Sequence, residues 1–120
     1  MNALAALALQ AALAMPPYDW SVLPELPLPV AGSANLSAYV QREVAAGRCR
    51  AGQAREIAAP VAVLVGEDAR VARVVPLAIG CPTVEQFTAG YVATVARRAA
   101  AAGAFRPGWY RHTVTYRWAG

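Results

Sequence analysis

Two cysteines and one histidine are the residues of this chain whose types could do covalent chemistry. Cys81 lies at the expected start of a helix, where the helix dipole lowers the pKa of a thiol. His112 could serve as its general base, which would make a small exported enzyme with a Cys81/His112 nucleophile–base pair, although no third, orienting residue is evident. The leading prediction is instead a Cys49–Cys81 disulfide, because an even pair of cysteines in an exported chain most simply forms one bridge.

The other chemical groups do not form a recognisable site. Two cysteines and one histidine leave a zinc site one ligand short, and the sequence lacks both CxxC and HxxxH spacing. The seven acidic residues are dispersed, and the adjacent pair Glu67-Asp68 falls in an expected turn. We therefore predict no metal, no cofactor, no catalytic residue and no small-molecule substrate.

The basic character of the chain does not predict nucleic-acid binding. All eleven basic residues are arginines, and the formal net charge is +4. The arginines are scattered along the chain, whereas binding to a phosphate backbone requires a clustered stripe. We interpret them as a solvated basic surface.

The N-terminal segment predicts export. Residues 1–14 are uncharged and apolar, and a helix of that length would reach about 21 Å, short of a ~30 Å hydrocarbon core. Ala12-Leu13-Ala14 supplies a small-x-small cleavage pattern, so we predict a signal peptide over 1–14 and a periplasmic or secreted protein. The alternatives are an uncleaved inner-membrane anchor, which would make a membrane-tethered structural envelope protein, and a cytosolic helix. Residues 15–35 are rich in proline and predict a tether or an arm lying over the domain, with Trp20, Leu23, Leu26 and Leu28 available to dock.

Apolar periodicity and turn residues predict five elements in the order helix, strand, strand, helix, strand. Asn35 is the expected N-cap of the first helix and Gly47 its expected stop. The predicted ranges are a helix over 36–46, a strand from about Val61 to 65, a turn over 66–69, a strand over 70–77, a helix over 83–102 and a strand over 109–118.

The second helix carries the clearest local signals. Thr83 and Gln86 fit a capping box, and Gly103 is the expected stop. Gly90 indicates a close backbone contact. The predicted apolar stripe consists of Val84, Phe87, Tyr91 and Val95.

The last strand alternates with period two. One face carries aromatic residues and His112 and is predicted to be buried. The other face is predicted to be the more accessible one, and it carries Arg111, Thr113, Thr115 and Arg117.

This order of elements, and the turn residues between them, resemble the C-terminal domain of TonB and its relatives over roughly residues 35–118. The hairpin return Asp68-Ala69-Arg70-Val71-Ala72-Arg73-Val74 and the helix entry Gly80-Cys81-Pro82-Thr83 carry the resemblance. It implies an α+β domain over 36–120 with α-β-β-α-β order, in which helices cover one face of a three-stranded antiparallel sheet. The family pattern here lacks the membrane anchor and long spacer of energy-transducing TonB, so we expect a stand-alone TonB C-terminal-like domain.

The resemblance also implies a function. Domains of this family engage receptor segments by strand addition in transport across the outer membrane. We therefore expect a non-catalytic protein-interaction module whose binding edge is the last strand, with Arg111, Thr113, Thr115 and Arg117. The expected partner is a segment of an envelope or outer-membrane protein, and open strand edges also permit a homodimer.

Overall fold

A computed structural model describes residues 15–29, 34–49, 55–101, 103 and 105–119, with the backbone alone at 34 and 35. The predicted signal peptide over 1–14 lies outside these residues. The described elements are a 3-10 turn Trp20–Val22, helix α1 Ala34–Ala45, strands β1 Glu56–Val65 and β2 Val71–Pro76, helix α2 Pro82–Ala101 and strand β3 Gly108–Arg117. None of the helices in this part of the chain is long and apolar enough to cross a bilayer.

The sheet is three-stranded and antiparallel, in the order β2-β1-β3. The predicted α+β architecture is therefore confirmed. Odd-numbered residues of the central strand β1, from Ile57 to Val65, are buried against the helices. Helix α2 packs on β2 and β1, while α1 packs beside β3 and α2.

Strand β1 begins at Glu56, five residues before the predicted start at Val61. Its first half pairs with β3 alone, from Glu56 opposite Arg117 to Pro60 opposite Thr113. Proline in a central strand usually argues against a strand. Pro60 is tolerated because its nitrogen faces β2 at the point where β2 ends, so its missing N–H breaks no bond to β3. Its carbonyl still accepts a hydrogen bond from the Leu77 N–H, at 3.0 Å.

The predicted capping box at Thr83 and Gln86 was wrong. Helix α2 begins at Pro82, whose missing N–H and fixed φ suit the first helical position, and Cys81 is its N-cap. The Glu85 carboxylate accepts hydrogen bonds from the backbone N–H groups of Cys81, at 3.0 Å, and Ile79, at 3.1 Å. Thr83 therefore lies inside the first turn.

The buried face of α2 is also rotated from the predicted stripe. Val84 is buried as predicted, but Thr88, Val92 and Ala96 follow it into the core, while Phe87, Tyr91 and Val95 are only partly buried. The small residues Ala93, Ala96 and Ala100 let this helix approach the sheet closely. Gly90 is exposed, and a Cβ there would meet no heavy atom within 4 Å, so the predicted close contact was wrong.

Both helices end at the predicted glycines. Gly47 has φ +77°, its N–H bonds to the Val44 carbonyl, and the next N–H, of Arg48, bonds to the Glu43 carbonyl, which is a Schellman motif. Gly103 has φ +74°, and its N–H donates a hydrogen bond to the Ala100 carbonyl. Helix α1 begins at Ala34, so Asn35 lies in its first turn and is not the N-cap that was predicted.

Candidate functional site

The two faces of β3 separate as the alternation predicted. His112, Val114 and Tyr116 are buried against the helices, and Tyr116 hydrogen-bonds Thr88 through its hydroxyl at 2.7 Å. Burial raises the pKa of Tyr116, and the Thr88 hydroxyl offsets only part of that effect. On the opposite face Thr113 and Arg117 are exposed, whereas Arg111 and Thr115 are half-buried.

One side of β3 is an outer edge of the sheet. The main-chain N–H and carbonyl of Arg111 point away from β1, since they hydrogen-bond to Pro24 and Leu26. Because backbone directions alternate along a strand, those of Thr113, Thr115 and Arg117 point outward too. The four predicted binding residues therefore lie in one row at one edge.

The proline-rich segment 15–29, here called the arm, already pairs with this edge. The Arg111 N–H donates to the Pro24 carbonyl at 3.0 Å, and the Arg111 carbonyl accepts from the Leu26 N–H at 2.8 Å. These two bonds form a parallel bridge between Glu25 and Arg111. Of the apolar arm residues expected to dock, Leu23 and Leu26 are buried, and Leu28 packs partly buried against the core.

Charged side chains accompany the bridge. The Glu25 carboxylate lies 3.7 Å from Arg111 Nε and 3.7 Å from His112 Nδ1. Arg111 Nε is buried and has no hydrogen-bond partner in the described part of the chain. His112 Nδ1 lies 3.0 Å from the Leu26 carbonyl, so the imidazole also contacts the arm backbone.

The pairing of arm and edge ends after one bridge. In a parallel ladder the Leu26 carbonyl would next accept from the Thr113 N–H, but it faces His112 instead, and Leu26 itself turns into the core. Pro24 faces β3 and has no N–H to donate, whereas the nitrogen of Pro27 would face away from β3 in this register. Among the residues described, the outward main-chain groups of Thr113 and Thr115 consequently have no hydrogen-bond partner.

A second cluster joins the two helices. The predicted Cys49–Cys81 disulfide is present, with both cysteines buried, and it links the chain after α1 to the N-cap of α2. Beside it, the buried Glu43 carboxylate accepts three hydrogen bonds from the Arg48 guanidinium, the shortest at 2.8 Å. Arg48 and then Thr83 lower the pKa of Glu43. We call this cluster, of Cys49, Cys81, Glu43, Arg48 and Thr83, the helix junction.

The geometry gives no support to a Cys81/His112 nucleophile–base pair. Cys81 sulfur is bonded to Cys49 and its side chain is fully buried, so it presents no thiol to a substrate. His112 is occupied by the arm. Within the described ranges no group of three His, Cys, Asp or Glu side chains could hold a metal ion.

Sequence reasoning did not identify Glu25 as a partner of β3. The available signal was the segment Leu23-Pro24-Glu25-Leu26-Pro27, in which proline favours extended backbone and leucines flank one acid. The pattern indicates a strand-like segment, but it does not show which edge receives it. In comparisons with known proteins, no family model, no curated protein and no solved structure matches this chain.

Proposed function

We propose that this domain is an exported, non-catalytic protein-interaction module that binds extended segments of envelope proteins by strand addition at the outer edge of β3. The observation that carries the proposal is the arm, because it is an extended segment that already bonds to this edge through its main chain. Strand addition uses the same main-chain groups, and it is the mode by which domains of the TonB C-terminal type engage receptors.

The free part of the edge has the properties that strand addition requires. Thr113 and Thr115 direct outward N–H and carbonyl groups that no described residue bonds, and Thr113 and Arg117 are exposed. The other sheet edge, β2, is less suitable because it ends in Pro76, which has no N–H to donate. The four residues Arg111, Thr113, Thr115 and Arg117 remain the proposed binding set, and the proposed partner is a segment of an envelope or outer-membrane protein.

Export is part of this proposal. A disulfide persists in oxidising compartments, so the buried Cys49–Cys81 bridge supports a periplasmic or secreted location. N-terminal sequencing of the protein recovered from its natural location tests the predicted cleavage after Ala14. An intact N-terminus would favour the membrane-tethered alternative.

Site-specific photocrosslinking in the native envelope tests the binding edge. A photoreactive amino acid at Thr113 is expected to capture a protein segment, whereas the same group at Thr94, an exposed threonine on α2, is the matched control. Thr113→Pro should abolish capture from a photoreactive group at Arg117, because it removes an outward N–H without removing a bond to β1. Thr113→Ala keeps that N–H and should bind normally. Equal capture from Thr113 and Thr94, or binding that survives Thr113→Pro, would exclude this edge.

A further inference from the structure

The arm is held at the β3 edge by a small set of contacts. Two main-chain hydrogen bonds join the arm to Arg111. Of the arm side chains, those of Leu23 and Leu26 are buried. Leu26 belongs to the main core, whereas Leu23 is buried outside that cluster. The rest of the arm is largely exposed, with Tyr18 and Val22 at 106% and 70% of their full exposure.

The charges at the edge are complementary to the arm but imperfectly satisfied. Arg111 and Arg117 make the outer row of β3 basic, and Glu56 already neutralises Arg117 at 3.1 Å. The Glu25 carboxylate lies 3.7 Å from the buried Nε of Arg111, and no described residue hydrogen-bonds this Nε. A carboxylate placed slightly closer would hydrogen-bond this Nε, and charge-assisted bonds of that kind are among the stronger ones.

The direction of the arm also carries information. Its single bridge is parallel to β3, so the chain after Glu25 leads towards the open main-chain groups of Thr113 and Thr115. In a continued parallel ladder the Leu28 N–H would donate to the Thr113 carbonyl, but the Leu26 carbonyl just before it faces His112. A segment whose main chain stays in line with β3 could continue the ladder along the edge.

We propose that the arm is an internal ligand of the β3 edge, and that the edge accepts in its place an extended segment of the same chemistry. Such a segment runs parallel to β3 and has an acidic residue opposite Arg111 and an apolar residue in the place of Leu26. This inference rests on the proposed function and specifies its partner. The tethered arm competes with that partner at high effective concentration, so release of the arm controls access to the site.

A peptide with the sequence of residues 18–29, fluorescently labelled and followed by anisotropy, is the probe. It is titrated against the full chain and against the full chain carrying Leu23→Ala, Glu25→Ala and Leu26→Ala, which weaken the arm and free the position of Leu26 for the peptide. We expect the weakened-arm protein to bind the peptide about tenfold more tightly or better. A peptide of the same composition in scrambled order is the control.

A charge swap tests the contact itself. Arg111→Glu in the weakened-arm protein should lower affinity for the peptide by about threefold to tenfold, and a peptide with Arg at the Glu25 position should recover it. Recovery also shows that the variant is folded. The inference is overturned if weakening the arm leaves affinity unchanged, or if the scrambled peptide binds equally well.

These outcomes are separable from failure of the proposed function. If photocrosslinking at Thr113 captures an envelope protein while weakening the arm changes neither peptide binding nor capture, the edge binds partners and the arm is not its internal ligand. If the peptide binds the weakened-arm protein but Arg111→Glu does not lower its affinity, and photocrosslinking at Thr113 captures no more than at Thr94, the site lies elsewhere and both proposals are wrong.

Discussion

The helix junction and the arm-bound edge of β3 both join segments that are distant in sequence, but they do so with different chemistry. At the junction a disulfide links residues 32 positions apart, and the Glu43 carboxylate accepts three hydrogen bonds from Arg48. At the edge the arm has two main-chain hydrogen bonds, and Arg111 Nε has the Glu25 carboxylate at 3.7 Å but no hydrogen bond to any described residue. The junction has the contacts of a permanent connection, whereas the edge has those of an exchangeable one.

Removal of the disulfide is the change with the largest expected effect on the junction. Cys49→Ser with Cys81→Ser should lower the free energy of unfolding by about 3–4 kcal/mol, since the bridge closes a loop of about 33 residues in the unfolded chain. Urea denaturation measures this loss, and chemical reduction of the unmutated protein is the control. A loss below about 1 kcal/mol would show that the disulfide stabilises the fold no more than the arm contacts do, and that the junction is not the more permanent of the two connections.

Leu23→Ala should loosen the arm with little effect on the sheet. It removes a buried side chain worth about 1.5–3 kcal/mol to the arm, while the main core keeps Leu26. Hydrogen exchange should therefore become faster at the Leu26 and Arg111 amides, with the β1 amide of Val61 nearly unchanged. Uniform acceleration at all three amides would show that arm and sheet open together.

Gly47→Ala tests how far the junction depends on the end of α1. Gly47 has φ +77°, so alanine there should cost about 1–2 kcal/mol. Gly90→Ala is the matched control, because Gly90 is an exposed position inside α2 with open space around it, and alanine there should raise the stability by up to about 1 kcal/mol. Thermal unfolding measures both variants, and the prediction is wrong if both raise or both lower the melting temperature.

Glu43→Gln is expected to change the acid dependence of stability. The folded-state pKa of Glu43 is lowered from 4.5, so its contribution is present above that value and is lost as pH falls through the folded pKa. The variant should be less stable than the parent at neutral pH, and the difference should shrink on acidification. Urea midpoints from pH 7 down to pH 3 measure it, and a difference independent of pH would exclude the ion pair as its cause.

Local chemistry explains most of the successful expectations. The turns at Gly47 and Gly103 require a left-handed backbone that glycine adopts easily, so they were readable from single residues. The two faces of β3 followed from strict alternation. The disulfide followed from a pair of cysteines in a chain expected to be exported.

Predictions of element boundaries were wrong where two local signals competed, or where pairing with a distant segment set the boundary. At the start of α2, Pro82 at the first helical position and the reach of Glu85 outweighed the Thr83/Gln86 pattern. In β1, pairing with β3 extended the strand back through Pro60, which no local pattern predicts.

The sequence by itself determined the order and kind of the elements, because periodicity, glycine and proline act within a few residues. Only the tertiary structure decided which face of α2 is buried and that the arm lies on the outer edge of β3. Both depend on contacts between residues far apart in the chain, such as Thr88 with Tyr116 and Leu26 with Arg111. Such contacts depend on how distant surfaces fit together, which local patterns do not encode. For this reason the two faces of β3 were predictable, while the segment that pairs with its edge was not.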